Sequence, residues 1–154
     1  MSYRQVHINF TGHRESGKGI SDSRFSKIVP IIDSVFKQLN IPPHYRSTDL
    51  SRWLVETGSL KKAVETLIEE FQKIELVIIV HPDEKNVEDN VTLGMVRDMK
   101  KDAIILLDEN LDRESIGYLK YKGFDKIKNC KFIVYEDIGK IESILKKVVE
   151  EFFK

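Results

Sequence analysis

The chain has 154 residues, a length that suits one domain of ordinary size spanning 1–154. Hydrophobic residues make up 41% and charged residues 32%, which places it with soluble globular proteins. Its 25 basic and 25 acidic residues cancel to a formal net charge of zero, so nucleic-acid binding through bulk charge is not expected. No apolar stretch approaches the ~20 residues of a membrane-spanning helix. The N-terminus is polar, without a signal-peptide core, and the single cysteine, Cys130, permits no internal disulfide, so a cytoplasmic protein is expected. Cys130 precedes the apolar run Phe132-Ile133-Val134 and reads as a buried structural thiol.

In chain order, the first strand-like run is Val6–Phe10, followed by the glycine-rich stretch "INFTGHRESGKG". An apolar stripe at helical spacing then uses Phe25, Ile28, Val29, Ile32, Val35, Phe36 and Leu39. Pro30 falls inside it, which predicts a helix beginning within the four preceding residues, with Ser26 as its cap. The irregular segment His44–Val55 is expected to hide one weak strand. A second stripe, Ala63, Val64, Leu67, Ile68, Phe71 and Ile74, is entered from Gly58-Ser59. The runs Leu76–Val80 and Ala103–Leu107 are continuously apolar, as strands buried on both faces must be. Between them a shorter helix is predicted from Asn90 to Lys101, with Leu93, Val96 and Met99 inward. Lys131–Tyr135 reads as a strand. The closing helix carries Ile138, Ile141, Ile144, Leu145, Val148, Val149 and Phe152 on one face. Strands alternating with helices predict an α/β fold: a three-layer Rossmann/flavodoxin-like domain with a mostly parallel sheet of about five strands.

In such a sheet the ligand crevice lies outside the carboxyl ends of the strands, at the point where strand order reverses. The loop after the first strand therefore carries the first chemistry. From Gly12 it reads G-x-x-x-x-G-K, but Gly19 stands where a Walker loop needs Ser or Thr for magnesium. Three readings stay open: an ATP-binding loop, a plain glycine turn, and a non-Walker anion cradle. In the last, Gly12 and Gly17 let the backbone approach a phosphate, and His13, Arg14, Ser16 and Lys18 add charge and hydroxyls. Arg14 is the strongest phosphate candidate, because its planar fork meets two oxygens at once.

The stretch "ELVIIVHPDEKNVEDNVTLGMVRDMKKDAIILLDEN" places a buried strand, a polar loop, a helix start and a lysine pair before the next strand. With "VHINFTGHRESGKG" before it and "GFDKIKNCKFIVYEDIGKIESILKKVVEEFF" after it, the chain resembles the nucleoside 2-deoxyribosyltransferase-like superfamily over nearly its whole length. It resembles most the small 2′-deoxynucleoside 5′-phosphate N-hydrolases. The resemblance implies a pocket for a nucleoside or nucleotide, no cofactor, a homodimer, and cleavage or transfer at the N-glycosidic bond. In that family a Glu in Glu-x-Gly attacks C1′, a task for which a carboxylate is suited because it can trap an oxocarbenium-like centre. This chain reads Thr92-Leu93-Gly94 there, so Thr92 replaces the nucleophile, with Gly94 two residues on. Glu88 and Asp89, just upstream, are the carboxylates that could substitute for it. Glu65 and Glu69 are candidates for the assisting acid, or else form a solvated face.

His81 follows a buried strand and has either a pocket role or local hydrogen bonds. Asp108 and Glu109 either reach sugar hydroxyls or shape a turn. The four histidines show no metal-binding spacing, so no metal is expected. Tyr45 and Trp53 read as a flap that stacks on a base or as a dimer contact, and "KYKGFDKIK" reads as a solvated edge. Whether the chain is an enzyme stays open. The "FTGHR" entry also resembles SLOG and Toll/interleukin-receptor-like modules, which implies nucleotide sensing without catalysis.

Overall fold

The structure, a computed structural model, describes residues 6–12, 23–46, 48–83 and 85–153. Its elements run β1 (Val6–Gly12), α1 (Ser23–Gln38), β2 (Pro43–Tyr45), α2 (Leu50–Thr57), α3 (Leu60–Lys73), β3 (Leu76–Val80), α4 (Val87–Asp98), β4 (Ala103–Asp108), α5 (Arg113–Tyr121), β5 (Cys130–Tyr135) and α6 (Ile141–Phe152). Single 3-10 turns at Phe124–Lys126 and Ile138–Lys140 lead into β5 and α6. The sheet has the order β2-β1-β3-β4-β5, and every neighbouring pair is parallel. This is the doubly wound α/β architecture expected from the alternating pattern, with its switch point between β1 and β3.

Parallel strands with helices on both faces need apolar side chains of both parities. β3 is buried at all five of its residues, and β4 at the first five of its six. Ile78, Val80, Ile104 and Leu106 pack with Ile28, Ile32, Val35 and Phe36 of α1 and Ile141, Leu145 and Val149 of α6. Val77, Ile79, Ile105 and Leu107 pack with Phe71 of α3, Leu93 and Val96 of α4 and Leu119 of α5. α2 lies outside both cores, has no buried residue and packs chiefly on α3.

Several details differ from expectation, among them α4, which runs Val87–Asp98 and not from Asn90 to Lys101. α1 runs Ser23–Gln38, so Ser26 is an interior residue and not a cap. Pro30 and Ser26 are both exposed. Pro30 therefore lies on the wet face of α1, and the buried stripe on the other side holds the helix together. The fifth strand is β2, only three residues long, and half of the segment expected to hold it belongs to α2. Val64 and Ile68 of the second stripe are exposed on the outer face of α3, leaving Ala63, Leu67 and Phe71 as its inner edge.

Candidate functional site

The register puts Gly12 beside Val80, so β1 and β3 end at the same level, and His81-Pro82-Asp83 continues from there toward α4. Helix α4 is tied to this loop by its own first turn. Asn86 caps the helix, its Oδ1 accepting from the backbone N–H of Asp89 at 3.0 Å. Asp89 is 2% exposed, and its Oδ2 accepts from the backbone N–H of Asp83 at 2.9 Å. A buried carboxylate needs donors to offset its lost hydration, and the loop backbone supplies one. Asp89 thus shapes the floor of the crevice.

One turn further along the same face lies Thr92, which is 1% exposed. Opposite it stands Thr48, 7% exposed, carried on the segment between β2 and α2. Their hydroxyl oxygens are 3.4 Å apart. Thr48 is positioned by Arg46, two residues earlier. The Arg46 backbone N–H donates to Ile8 O at 2.8 Å, Nε donates to Nδ1 of His7 at 3.0 Å, and Nη1 pairs with Glu70 Oε2 at 2.8 Å. Burial, and then the Arg46 guanidinium, hold His7 below its ordinary pKa of 6.5, so it is the neutral imidazole that accepts this bond.

A second cluster closes the carboxyl ends of β3, β4 and β5. His81 is 2% exposed with φ of +47°, a left-handed conformation that is uncommon for a side-chain-bearing residue and gathers at functional sites. Regular alternation would send residue 81 to the side of Val77 and Ile79. The left-handed turn ends the strand there, and Nε2 shares a hydrogen bond with the buried Tyr135 hydroxyl. Asp112 Oδ2 stands 3.9 Å from the same nitrogen and accepts from the Asp108 N–H at 2.7 Å.

Of the residues singled out from sequence, the Gly12 backbone and His81 lie at the carboxyl ends of β1 and β3, and Asp89 and Thr92 lie along one face of α4. Glu88 lies in the first turn of α4, and its side chain is outside the described residues, as are His13, Arg14, Ser16, Gly17 and Lys18. Gly94 is about 200° around α4 from Thr92 and has nothing within 4 Å of where a Cβ would stand. Glu65 and Glu69 are exposed on α3. Asp108 shapes a turn by accepting from the N–H groups of Asn110 and Leu111, and the neighbouring Glu136 raises the pKa of Glu109. Tyr45 donates to Asp33 Oδ1 on α1, and Arg52 stacks its guanidinium 4.8 Å from the Trp53 ring centre. Cys130 is buried, and burial pushes its thiol up to about 12.

Sequence reasoning missed Thr48 and Asp112, and passed over Tyr135. A lone Thr in an irregular segment carries no signal. The Tyr135–His81 pair, 54 residues apart, exists only through strand order. A cavity of about 500 Å³ lies elsewhere, between the end of α1 and the start of β2, lined by Asp33, Phe36, Lys37, Asn40, Ile41, Pro42 and Pro43. It is at the opposite end of the sheet from the switch point and gathers no buried polar groups. Among the described residues, no group of three His, Cys, Asp or Glu side chains could hold a metal ion, and no helix is long and apolar enough to cross a membrane.

No protein-family model matches the chain, and no curated protein matches it. Solved structures do. The CMP N-glycosidase BcmB of Clostridium botulinum superimposes with a TM-score of 0.53 at 13% identity, over 92% of this chain and 98% of that one. The solution structure of BlsM superimposes with a TM-score of 0.58 at 16% identity, over 97% and 95%. At these identities the likeness is one of fold.

Proposed function

We propose that the protein binds a nucleoside monophosphate in the switch-point crevice and acts on it as an N-glycosidase does, by breaking the bond between C1′ and the base. The observation that carries this reading is the position of Thr92, the residue aligned with the resembled family's nucleophile. It is buried at the floor of the crevice, facing a hydroxyl from the opposite wall. A fold shared from end to end with a CMP N-glycosidase supports the same reading. The loop from Gly12 through His13, Arg14, Ser16, Gly17 and Lys18 takes the phosphate, and His81 completes the binding residues, while Gly94 faces away from Thr92.

A threonine hydroxyl is a weak nucleophile without a base. Asp89 is committed to the Asp83 N–H, so the role of nucleophile or base falls to Glu88. The same hydroxyl favours a second reading, a sensing module that holds its nucleotide intact. The protein also forms a homodimer in this proposal, through α2 and the outer face of α3. Val55 is 84% exposed there and Leu60 61%, an apolar surface that a second copy would cover.

The test is base release from ribo- and deoxynucleosides and their monophosphates, followed by chromatography for the natural sequence, Glu88→Gln and Thr92→Glu. Release that disappears in Glu88→Gln supports the hydrolase. Release by Thr92→Glu alone supports the sensor. Absence of release from all three, together with no nucleotide binding, refutes the reading.

A further inference from the structure

The two threonines have a geometry of their own. Thr48 and Thr92 come from opposite walls of the crevice, 44 positions apart in the chain, and both are buried. Their oxygens are 3.4 Å apart, beyond the roughly 2.5–3.0 Å of an ordinary O–H···O bond. Each hydroxyl offers one proton and two lone pairs. Among the described residues, the side-chain partner of each is the other. A loose contact of this kind leaves each hydroxyl with unused donor or acceptor capacity, and a third oxygen about 2.8 Å from both would close a triangle. Two buried hydroxyls so placed match one incoming hydroxyl group. A methylene in the same place would leave them only their own long bond.

We propose that Thr48 and Thr92 form a receptor for the 2′-hydroxyl of a ribose, so that the crevice takes ribonucleoside monophosphates in preference to their 2′-deoxy counterparts. The inference rests on the reading above that a nucleoside monophosphate occupies the crevice. Thr92 stands at the position facing C1′, and the carbon next to it in the sugar ring carries the 2′-hydroxyl. The 3′-hydroxyl is present in both sugars and gives no discrimination. A carboxylate at position 92 would accept from a 2′-hydroxyl but could not donate to it, whereas the threonine pair can do both. Two neutral hydrogen bonds, counted against the residual bond between the threonines, make the preference on the order of tenfold.

The experiment is calorimetric titration of the full chain with the ribo- and 2′-deoxy monophosphates of adenosine, cytidine, guanosine and uridine. The natural sequence is compared with Thr48→Val, Thr92→Val and Thr92→Ser. The expected result is that the ribonucleotide that binds does so about tenfold more tightly than its deoxy partner. The ratio falls toward one in either valine variant and is kept in Thr92→Ser, which retains the hydroxyl. Equal affinity for the two sugars in the natural sequence overturns this inference and leaves nucleotide binding standing. A preference undiminished in both valine variants, each confirmed folded by its melting curve, overturns the assignment to these residues. Failure of all eight nucleotides to bind overturns the nucleotide reading and this inference with it.

Discussion

The assignment of Asp89 to the loop makes a prediction that separates structure from catalysis. Its Oδ2 accepts from the Asp83 N–H at 2.9 Å, and the carboxylate is 2% exposed. Asp89→Ala removes the charge-assisted hydrogen bond from the Asp83 N–H and leaves a half-buried backbone donor without that acceptor, at a cost of about 1.5–3 kcal/mol. Asp89→Asn keeps an oxygen in place and replaces the charged acceptor by a neutral one, so its loss should be about half as large. For a chain of this length, about 2 kcal/mol lowers the melting temperature by roughly 4–8 °C. Urea unfolding of both variants measures the difference directly, and an unchanged m-value confirms that stability itself has moved. The ordering natural > Asn > Ala is expected, with nucleotide affinity falling in the same order because the loop bounds the crevice. If Asp89→Ala unfolds at the same urea concentration as the natural sequence, the carboxylate does not anchor the loop. If Asp89→Asn abolishes base release at full stability, Asp89 is catalytic and the division of roles with Glu88 is wrong.

Four further outcomes follow from the same geometry. Tyr135→Phe takes its hydroxyl from the buried His81 ring and should cost about 1–3 kcal/mol in denaturant unfolding; an unchanged midpoint would deny the pair a structural role. Because burial and Arg46 lower the folded-state pKa of His7, the unfolded chain takes up a proton first as pH drops through 6.5. The His7 contribution is therefore present above that pH and lost below it, and His7→Asn should flatten the fall in melting temperature on the acid side; an unaltered slope would contradict this. Cys130 should resist a thiol reagent in the native protein and react fully once unfolded, and rapid native labelling would contradict its burial. Val55→Glu with Leu60→Glu should convert a dimer into a stable monomer in sedimentation experiments, while a natural sequence that already sediments as a monomer would refute the interface.

The parts of the fold that were legible in the sequence are those where burial dictates residue type. β3 and β4 had to be continuously apolar because helices cover both of their faces, and the inner edges of α3, α4 and α6 repeat at helical spacing for the same reason. β2 was not legible. It is a three-residue edge strand, held by backbone bonds such as Val6 N–H to Pro42 O and Arg46 N–H to Ile8 O, which leave no mark on side-chain pattern. The start of α1 was misplaced because a proline rule outweighed the stripe, although Pro30 sits on the wet face where its lost bond is cheap. At the site, His81 was singled out because it follows a buried strand, and Thr92 because it stands where the resembled family has its Glu. The start of α4 was readable from the Asn86-x-x-Asp89 spacing, a helix-start signature in a stretch read as loop. Thr48 and Asp112 depend on which strands lie side by side, and a single sequence does not carry that information.

The most direct test of the account is where a nucleotide lands. An amide-resolved NMR titration of the full chain with ribonucleoside monophosphates should perturb Gly12, Thr48, His81 and Thr92 most strongly, with the shifts saturating together. Perturbations confined to the Asp33–Pro43 cavity, or none at millimolar nucleotide, would contradict a nucleotide site at the switch point between β1 and β3.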